Sequence, residues 1–238
     1  MKLLAEKKKC YRFRIILQLI FIISIRCLFS EYGYGQSEHD NITWEKFSNK
    51  AEVNQIINEN NPNYELLDLA IFYASNEARI KEKLPPFLYS KVLAKVASGH
   101  SEAMINQNFY AHINPFSVTE ADPAQRILKY SNEFTGLAEN IAQYDLLNNP
   151  ILKYCYTQSA SSKFMFFDCV TKKPFKNHTY WSMAQTIIKA WMNSPGHRAN
   201  LLNKNFNYLG CGSRISLKPF LTSQVPFMRF TQNFGKKP

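Results

Sequence analysis

Of 238 residues only 8 are glycine and 5 are cysteine, and no two cysteines stand in a C-x-x-C pair. That absence argues against zinc–thiolate clusters and thioredoxin-like redox motifs, both of which depend on the spacing. No H-E-x-x-H segment and no G-x-S-x-G elbow occurs, so the common local signatures of metalloproteases and serine hydrolases are lacking. There is no internal repeat. Beyond residue 35 there is no long basic run and no basic stripe interleaved with aromatics, so nucleic acid is not an expected partner.

What is present is an ordinary globular composition, 45% hydrophobic and 20% charged, with a formal net charge of +11. Seven of the basic residues and two of the acids lie in the first 35 residues, which leaves a mildly basic remainder of +6. The N-terminal "KKKCYRFR" is a positive n-region, and Ile15–Ile25 is an apolar h-region too short to span a bilayer comfortably. Gly33 and Gly35 then place small residues before a cut at Gln36. This pattern predicts a secretory signal peptide over 1–35 and a protein that is secreted, extracellular or in the cell envelope. The competing reading is an uncleaved anchor extended by Leu28 and Phe29, so a membrane enters only through this segment. Export leaves Cys155, Cys169 and Cys211. The first two close a short loop and are a possible disulfide, while Cys211 fits a buried small residue in a strand.

Residues 36–62 are polar and Asn-rich and read as a leader or linker, with order beginning near Asn63. "YELLDLAIFYASNEARIKEK" is apolar nearly all round, as in a buried helix, and Leu84-Pro85-Pro86 ends it. A second helix is predicted from an N-cap at Ser90 to about Asn106, with Leu93, Val96, Ala97, His100 and Met104 on one face. His100 on that stripe reads as a satisfied core histidine. A short helical piece around 125–130 follows, and then "GLAENIAQY" as a turn or strand start. Residues 145–178 look inserted, with an aromatic "KFMFF" run suited either to a small core of its own or to lining a groove. A third helix begins at Ser182 and breaks at Ser194-Pro195-Gly196. "NYLGCGSRI" and "PFMRFTQNFG" read as strands, the first with Gly210 and Gly212 on one face to permit close backbone approach. Helices on both sides of a small, largely antiparallel sheet bury all these faces, an α+β architecture.

Three polar residues sit in apolar surroundings near segment boundaries: His112, Glu139 and His197. Two imidazoles and a carboxylate can form an open zinc site or a hydrogen-bonded acid–base cluster. They can equally fill three separate structural roles, because their spacing carries no local signature. Ser194 and His197 lie three apart across the Pro-Gly break with no orienting acid, which argues against a nucleophilic pair, and no residue is assigned as catalytic.

"NFYAH", "GLAENIA", "AWMNSPGHRANLL", "LGCG" and "FTQNFG", in that order, resemble the CAP superfamily in its bacterial secreted form. The superfamily groups cysteine-rich secretory proteins, antigen 5 and plant pathogenesis-related 1 proteins. The resemblance runs from about 63 to 235. It implies a three-layer α-β-α sandwich over 63–236, with the insertion at about 145–178. It also implies a cleft lined by a His-Glu-Glu-His tetrad. Position by position, His112, Glu139 and His197 match three of its members, and Ser194 stands where the second glutamate belongs. Two imidazoles and one carboxylate remain to hold a divalent metal such as zinc, though none is required. On this resemblance the Pro-Gly break turns His197 back into the cleft, with Arg198 and Asn200 fixing the turn.

The implied function is a non-enzymatic extracellular binding module. Its partner would be an extracellular ligand: a small molecule, a lipid or a cell-surface component. The alternatives are a metal-dependent hydrolase with Glu139 as base on a bound water, and a structural or lipid-binding surface protein.

Overall fold

The computed structural model describes residues 38–149 and 153–237, all within one unit, Ser37–Pro238. The signal segment expected at 1–35 lies outside the described residues. A short helix α1 (Trp44–Ser48) precedes α2 (Tyr64–Lys81), which starts at Asn63, whose side chain accepts the Leu66 N–H at 3.0 Å. It stops before Leu84-Pro85-Pro86, where two successive residues have no N–H to continue it. After the short strand β1 (Leu88–Tyr89), Ser90 caps α3 (Lys91–Asn106) as the sequence predicts, its hydroxyl accepting the Leu93 N–H at 3.3 Å. A capping box between Asp122 and Gln125 opens α4 (Pro123–Leu128). Helix α5 (Tyr180–Asn193) begins two residues earlier than expected: Thr179 is the N-cap, and Ser182 is its reciprocal partner in a second box.

The segment read as a turn or strand start is a full strand, β2 (Gly136–Asp145). With β5 (Tyr208–Ile215) and β6 (Phe227–Lys236) it completes a four-stranded sheet in the order β1-β5-β6-β2, antiparallel except for β1 with β5. Strand periodicity assigns the two faces. Leu209, Cys211, Phe230 and Phe234 join the main core with Ile71 of α2 and Ile187 of α5. On the other face Gly210 and Gly212 meet α3. A Cβ at Gly210 would lie 2.0 Å from Ala94 N, and one at Gly212 2.1 Å from Ser98 N, so α3 rests on bare backbone. The result is the α-β-α sandwich expected.

The leader expectation is corrected. Phe47, Val53 and Ile57 are 2%, 0% and 0% exposed and belong to the main core, so folded structure starts well before Asn63. The inserted region forms a two-stranded hairpin, β3 (Cys155–Gln158) and β4 (Phe164–Phe167), bridged by the Cys155–Cys169 disulfide. Phe166 is buried with Leu147 and Val225, and Phe164, Phe175 and Phe220 pack on them, so the aromatic run builds a small core shared with the loop between β5 and β6, and it also lines a groove. Cys211 is a free thiol, 1% exposed, whose pKa burial raises well above the ordinary value. Among the described residues no helix is long and apolar enough to cross a membrane.

Candidate functional site

Glu139 lies in β2 opposite Asn233 of β6, on the face turned to α3. A carboxylate there is cut off from water, and its side chain is 1% exposed. The cost of burying it is met by a ring of partners. His112, in the loop after α3, brings Nδ1 to within 2.9 Å of Glu139 Oε1. Arg126, from α4, donates through NH2 to Glu139 Oε2 at 2.8 Å and to the His112 carbonyl at 3.1 Å. Its NH1 donates to the Ala121 carbonyl at 2.7 Å. Asn233, its amide turned so that both ends are satisfied, donates to Glu139 Oε2 at 3.1 Å and accepts the Ala97 N–H at 3.1 Å. His100 of α3 comes within 3.8 Å of Oε1, and its Nε2 lies 3.0 Å from the Ala111 carbonyl.

The two faces of this cluster differ. Inside are Glu139, Arg126 and His100, all under a tenth exposed. Burial lowers the His100 pKa to about 4, against the pull of Glu139, so its ring is neutral near pH 7. Outside is His112, with its side chain 47% exposed. Since a carboxylate accepts, Nδ1 carries the proton in the His112–Glu139 pair, and Nε2 is the ring nitrogen left for a ligand, with a lone pair in the neutral ring.

His197 is carried by a different element from the one expected. The Pro-Gly break is the start of another helix, α6 (Pro195–Leu201), with Pro195 in the first turn, where its missing N–H costs nothing. Ser194 ends α5 and begins α6, and its side chain makes no capping bond. His197 therefore sits on a helix rather than in a turn, half-buried, with its ring 6.5 Å from that of Trp191. Burial, and secondly the field of His112, lower its pKa. Asn140 Nδ2 donates to the His197 carbonyl at 3.2 Å, and Asn200 Nδ2 donates to Asn140 Oδ1 at 2.9 Å and to the Glu139 carbonyl at 3.4 Å. Asn200 thus fixes the helix against β2, while Arg198 pairs with Glu82 at 3.0 Å instead.

Among the described residues the side chains that approach the Glu139 carboxylate within 4 Å as ionic partners are His112, Arg126 and His100, and not His197. No three His, Cys, Asp or Glu side chains among them converge as a metal set. Both Glu139 oxygens are engaged, one of them by a guanidinium whose charge opposes a cation. The donor set His112, Glu139 and His197 therefore does not fit zinc or another divalent ion. Arg126, the strongest partner of Glu139, was missed from the sequence. The available signal was the D-P-A-Q-R segment: its capping residues fix where α4 begins, and Glu139 needed a cation.

A family model described as "Cysteine-rich secretory protein family" (CAP) matches residues 72–216. Two proteins of Bacillus subtilis (strain 168) are similar in sequence. The uncharacterized protein YkwD is 27% identical over 138 residues, covering 58% of this chain and 38% of its own. The uncharacterized membrane protein YlbC is 25% identical over 173 residues, covering 73% and 34%. The matched region is thus little more than a third of either relative. Among solved structures, an extracellular protein containing an SCP domain from Bacillus anthracis str. Ames has 24% identity and a TM-score of 0.48, over 73% of this chain and 41% of that one. An outer surface protein from Borrelia burgdorferi has 20% identity and a TM-score of 0.45, over 71% and 90%.

Proposed function

This chain belongs to the cysteine-rich secretory protein (CAP) family, and from that premise we propose that it is a secreted, non-enzymatic binding module whose His112/His197 cleft holds a small polar ligand. The observation that carries this reading is the state of Glu139. Its oxygens are held by His112, Arg126 and Asn233, so it orients His112 and is not free to act as a general base. The cleft offers two imidazoles, and His112 Nε2 is an acceptor for a ligand hydroxyl or N–H. The disulfide and the N-terminal pattern support an extracellular setting.

The test is proton NMR of the histidine ring signals during titration with glucose, glycine and zinc chloride. Shared saturable shifts of His112 and His197 with a polar probe, lost in His112→Ala, are expected. Casein or nitrophenyl-ester hydrolysis that disappears in Glu139→Gln would overturn the reading in favour of a hydrolase. A lipid is the second reading, supported by a groove of about 540 Å³ beside the hairpin, lined by Ile56, Met165, Phe175 and Phe220 with Lys163 and Lys176. Dodecanoate binding lost in Met165→Glu would favour it.

A further inference from the structure

Between the end of α3 and the loop that joins β5 to β6 lies a cavity of about 340 Å³. Ile105, Asn106 and Asn108 line one side, the loop from Ser216 to Phe227 lines the other, and Arg229 of β6 lines it as well. The loop is held at three points. Ser216 N–H donates to the Phe227 carbonyl at 2.8 Å, Leu221 N–H to the Lys218 carbonyl at 3.1 Å, and Phe164 N–H of the hairpin to the Phe220 carbonyl at 2.8 Å. Lys218 and Phe220 have φ of 53° and 61°, in the left-handed region that costs an L side chain, so the loop keeps its shape against strain. The cavity is therefore preformed.

Its charge is one-sided. Among the described residues that line it none is an acid, while Lys218 and Arg229 are both cations. Lys218 is exposed and makes no ion pair within the described residues. Arg229 is 7% exposed, and its side chain bonds neutral groups alone: Nε donates to Gln143 Oε1 at 2.9 Å, and NH1 to the Met104 and Phe109 carbonyls. Those carbonyls close the end of α3, and they share the guanidinium charge without cancelling it. Among the described residues no carboxylate pairs with Arg229, in contrast to Arg126, which Glu139 balances. A buried cation without a counter-ion carries a cost that a bound anion relieves.

The remaining lining asks for more than an anion. Asn106, Asn108, Thr222 and Gln224 are exposed, and their side chains make no hydrogen bond within the described residues. Three carboxamides and a hydroxyl present donors and acceptors together, which suits ligand hydroxyls, since each of those both donates and accepts. Ile105, Val225 and Phe227 supply an apolar side. An anionic group, several hydroxyls and one apolar C–H face are the features of an acidic sugar ring. For scale, a cavity of about 150 Å³ admits benzene, so this one suits about thirteen heavy atoms, the size of a hexuronic acid.

We propose that this cavity binds a hexuronic acid, either free or as the end residue of an acidic polysaccharide. The carboxylate is drawn by Lys218 and by the field of Arg229, the hydroxyls bond Asn106, Asn108, Thr222 and Gln224, and the C–H face rests on Phe227. His112, Glu139 and His197 do not line the cavity, so this site stands or falls independently of the cleft.

Amide NMR shifts during titration of the protein with galacturonate test the proposal. The comparators are galactose, which lacks the carboxylate, and acetate, which lacks the ring. Saturable shifts centred on 105–108 and 216–229 are expected, with galactose and acetate each at least about tenfold weaker. Lys218→Glu, at an exposed position, is expected to weaken galacturonate at least about tenfold with an unchanged Tm, and Asn108→Asp to weaken it about threefold to tenfold. Lys189→Glu, the same charge change on α5, is expected to leave binding unchanged. Trigalacturonate distinguishes the two sources: tighter binding than galacturonate assigns the site to a chain end, and equal binding assigns it to the free sugar acid. No saturable binding of either would overturn the proposal, as would equal affinity for galactose, undiminished binding by Lys218→Glu, or shifts centred on His112 and His197.

Discussion

Where α3 crosses β5, backbone meets backbone: Gly210 and Gly212 bring the strand so close that an added Cβ would lie within about 2 Å of Ala94 N and Ser98 N. The hairpin β3–β4 meets the rest of the protein differently, through a rim of aromatic side chains around Phe166 and a Phe164 N–H bond to the Phe220 carbonyl, while its disulfide closes only the hairpin on itself. Tyr156 and Met165, both in the hairpin, are 52% and 49% exposed, whereas Leu209 and Phe230 in the sheet are 0% exposed. The sandwich is thus a rigid layer that fixes Glu139, His100 and Arg126 relative to one another, and the hairpin is an appended unit whose small core is shared with the loop between β5 and β6. Perturbations in the first region should register in global unfolding, and those in the second should stay local.

The largest effect is expected at the buried ion pair. Glu139→Ala leaves the Arg126 guanidinium, 4% exposed, without its carboxylate, a change worth about 3–5 kcal/mol of stability. Urea unfolding should show that loss, with Glu139→Gln intermediate because its amide oxygen still accepts from Arg126. A double variant, Glu139→Gln with Arg126→Met, should recover part of it. A loss under about 1 kcal/mol for Glu139→Ala would mean that the site is not structurally coupled to the sandwich.

Gly212→Ala is next, at about 3 kcal/mol, because the new methyl group has only the α3 backbone to displace. Thermal unfolding reads this directly. Gly99→Ala on the same helix, where a Cβ has open space, is the matched control and should be neutral or stabilising.

The same contrast explains what the sequence could tell. Gly210 and Gly212 two apart in a strand announce a close approach, and Ser90 before an apolar stripe announces a helix start, because each signal is local. Thr179 and Ser182 are both good caps, so their spacing alone cannot say which one begins α5. Phe47, Val53 and Ile57 are separated by polar residues with neither helix nor strand period, and only tertiary contact reveals that they are core. At the site, a carboxylate between apolar residues showed that Glu139 needed partners. Arg126 as that partner, and α6 as the carrier of His197, follow from how elements distant in sequence meet. The metal expectation took the donors without the guanidinium that engages one of them.

Acid should weaken both regions at their buried imidazoles. His100 in the sandwich and His178, where the insertion rejoins α5, each have a pKa lowered from 6.5 to about 4, in both cases chiefly by burial. Between those values the unfolded chain binds protons that the folded chain refuses, so stability rises with pH in that window. It is fully present above about pH 6.5 and lost as pH falls toward about 4, on the order of 2–3 kcal/mol for each group. Denaturant midpoints from pH 4 to 7 should follow this slope. His100→Gln and His178→Gln should each flatten it, and a slope unchanged in both would place the acid sensitivity elsewhere.

The smallest global effect is expected from the disulfide, and it is the sharpest test of the difference between the two regions. Cys155 and Cys169 are 14 residues apart, and closing a loop of that size constrains an unfolded chain by about 3 kcal/mol if hairpin and sandwich unfold together. The hairpin rests on the loop between β5 and β6, through its aromatic rim and the Phe164 N–H bond to the Phe220 carbonyl, so it should open before the sandwich does. The bridge then stabilises a local equilibrium and contributes little to the global one. Cys155→Ser with Cys169→Ser should therefore lower global stability by less than about 1 kcal/mol. Limited proteolysis should instead rise sharply between 153 and 178, and amides of β3 and β4 should lose protection while those of β5 and β6 keep theirs. A full loss of about 3 kcal/mol, with cleavage unchanged in the hairpin, would join the two regions into one cooperative unit.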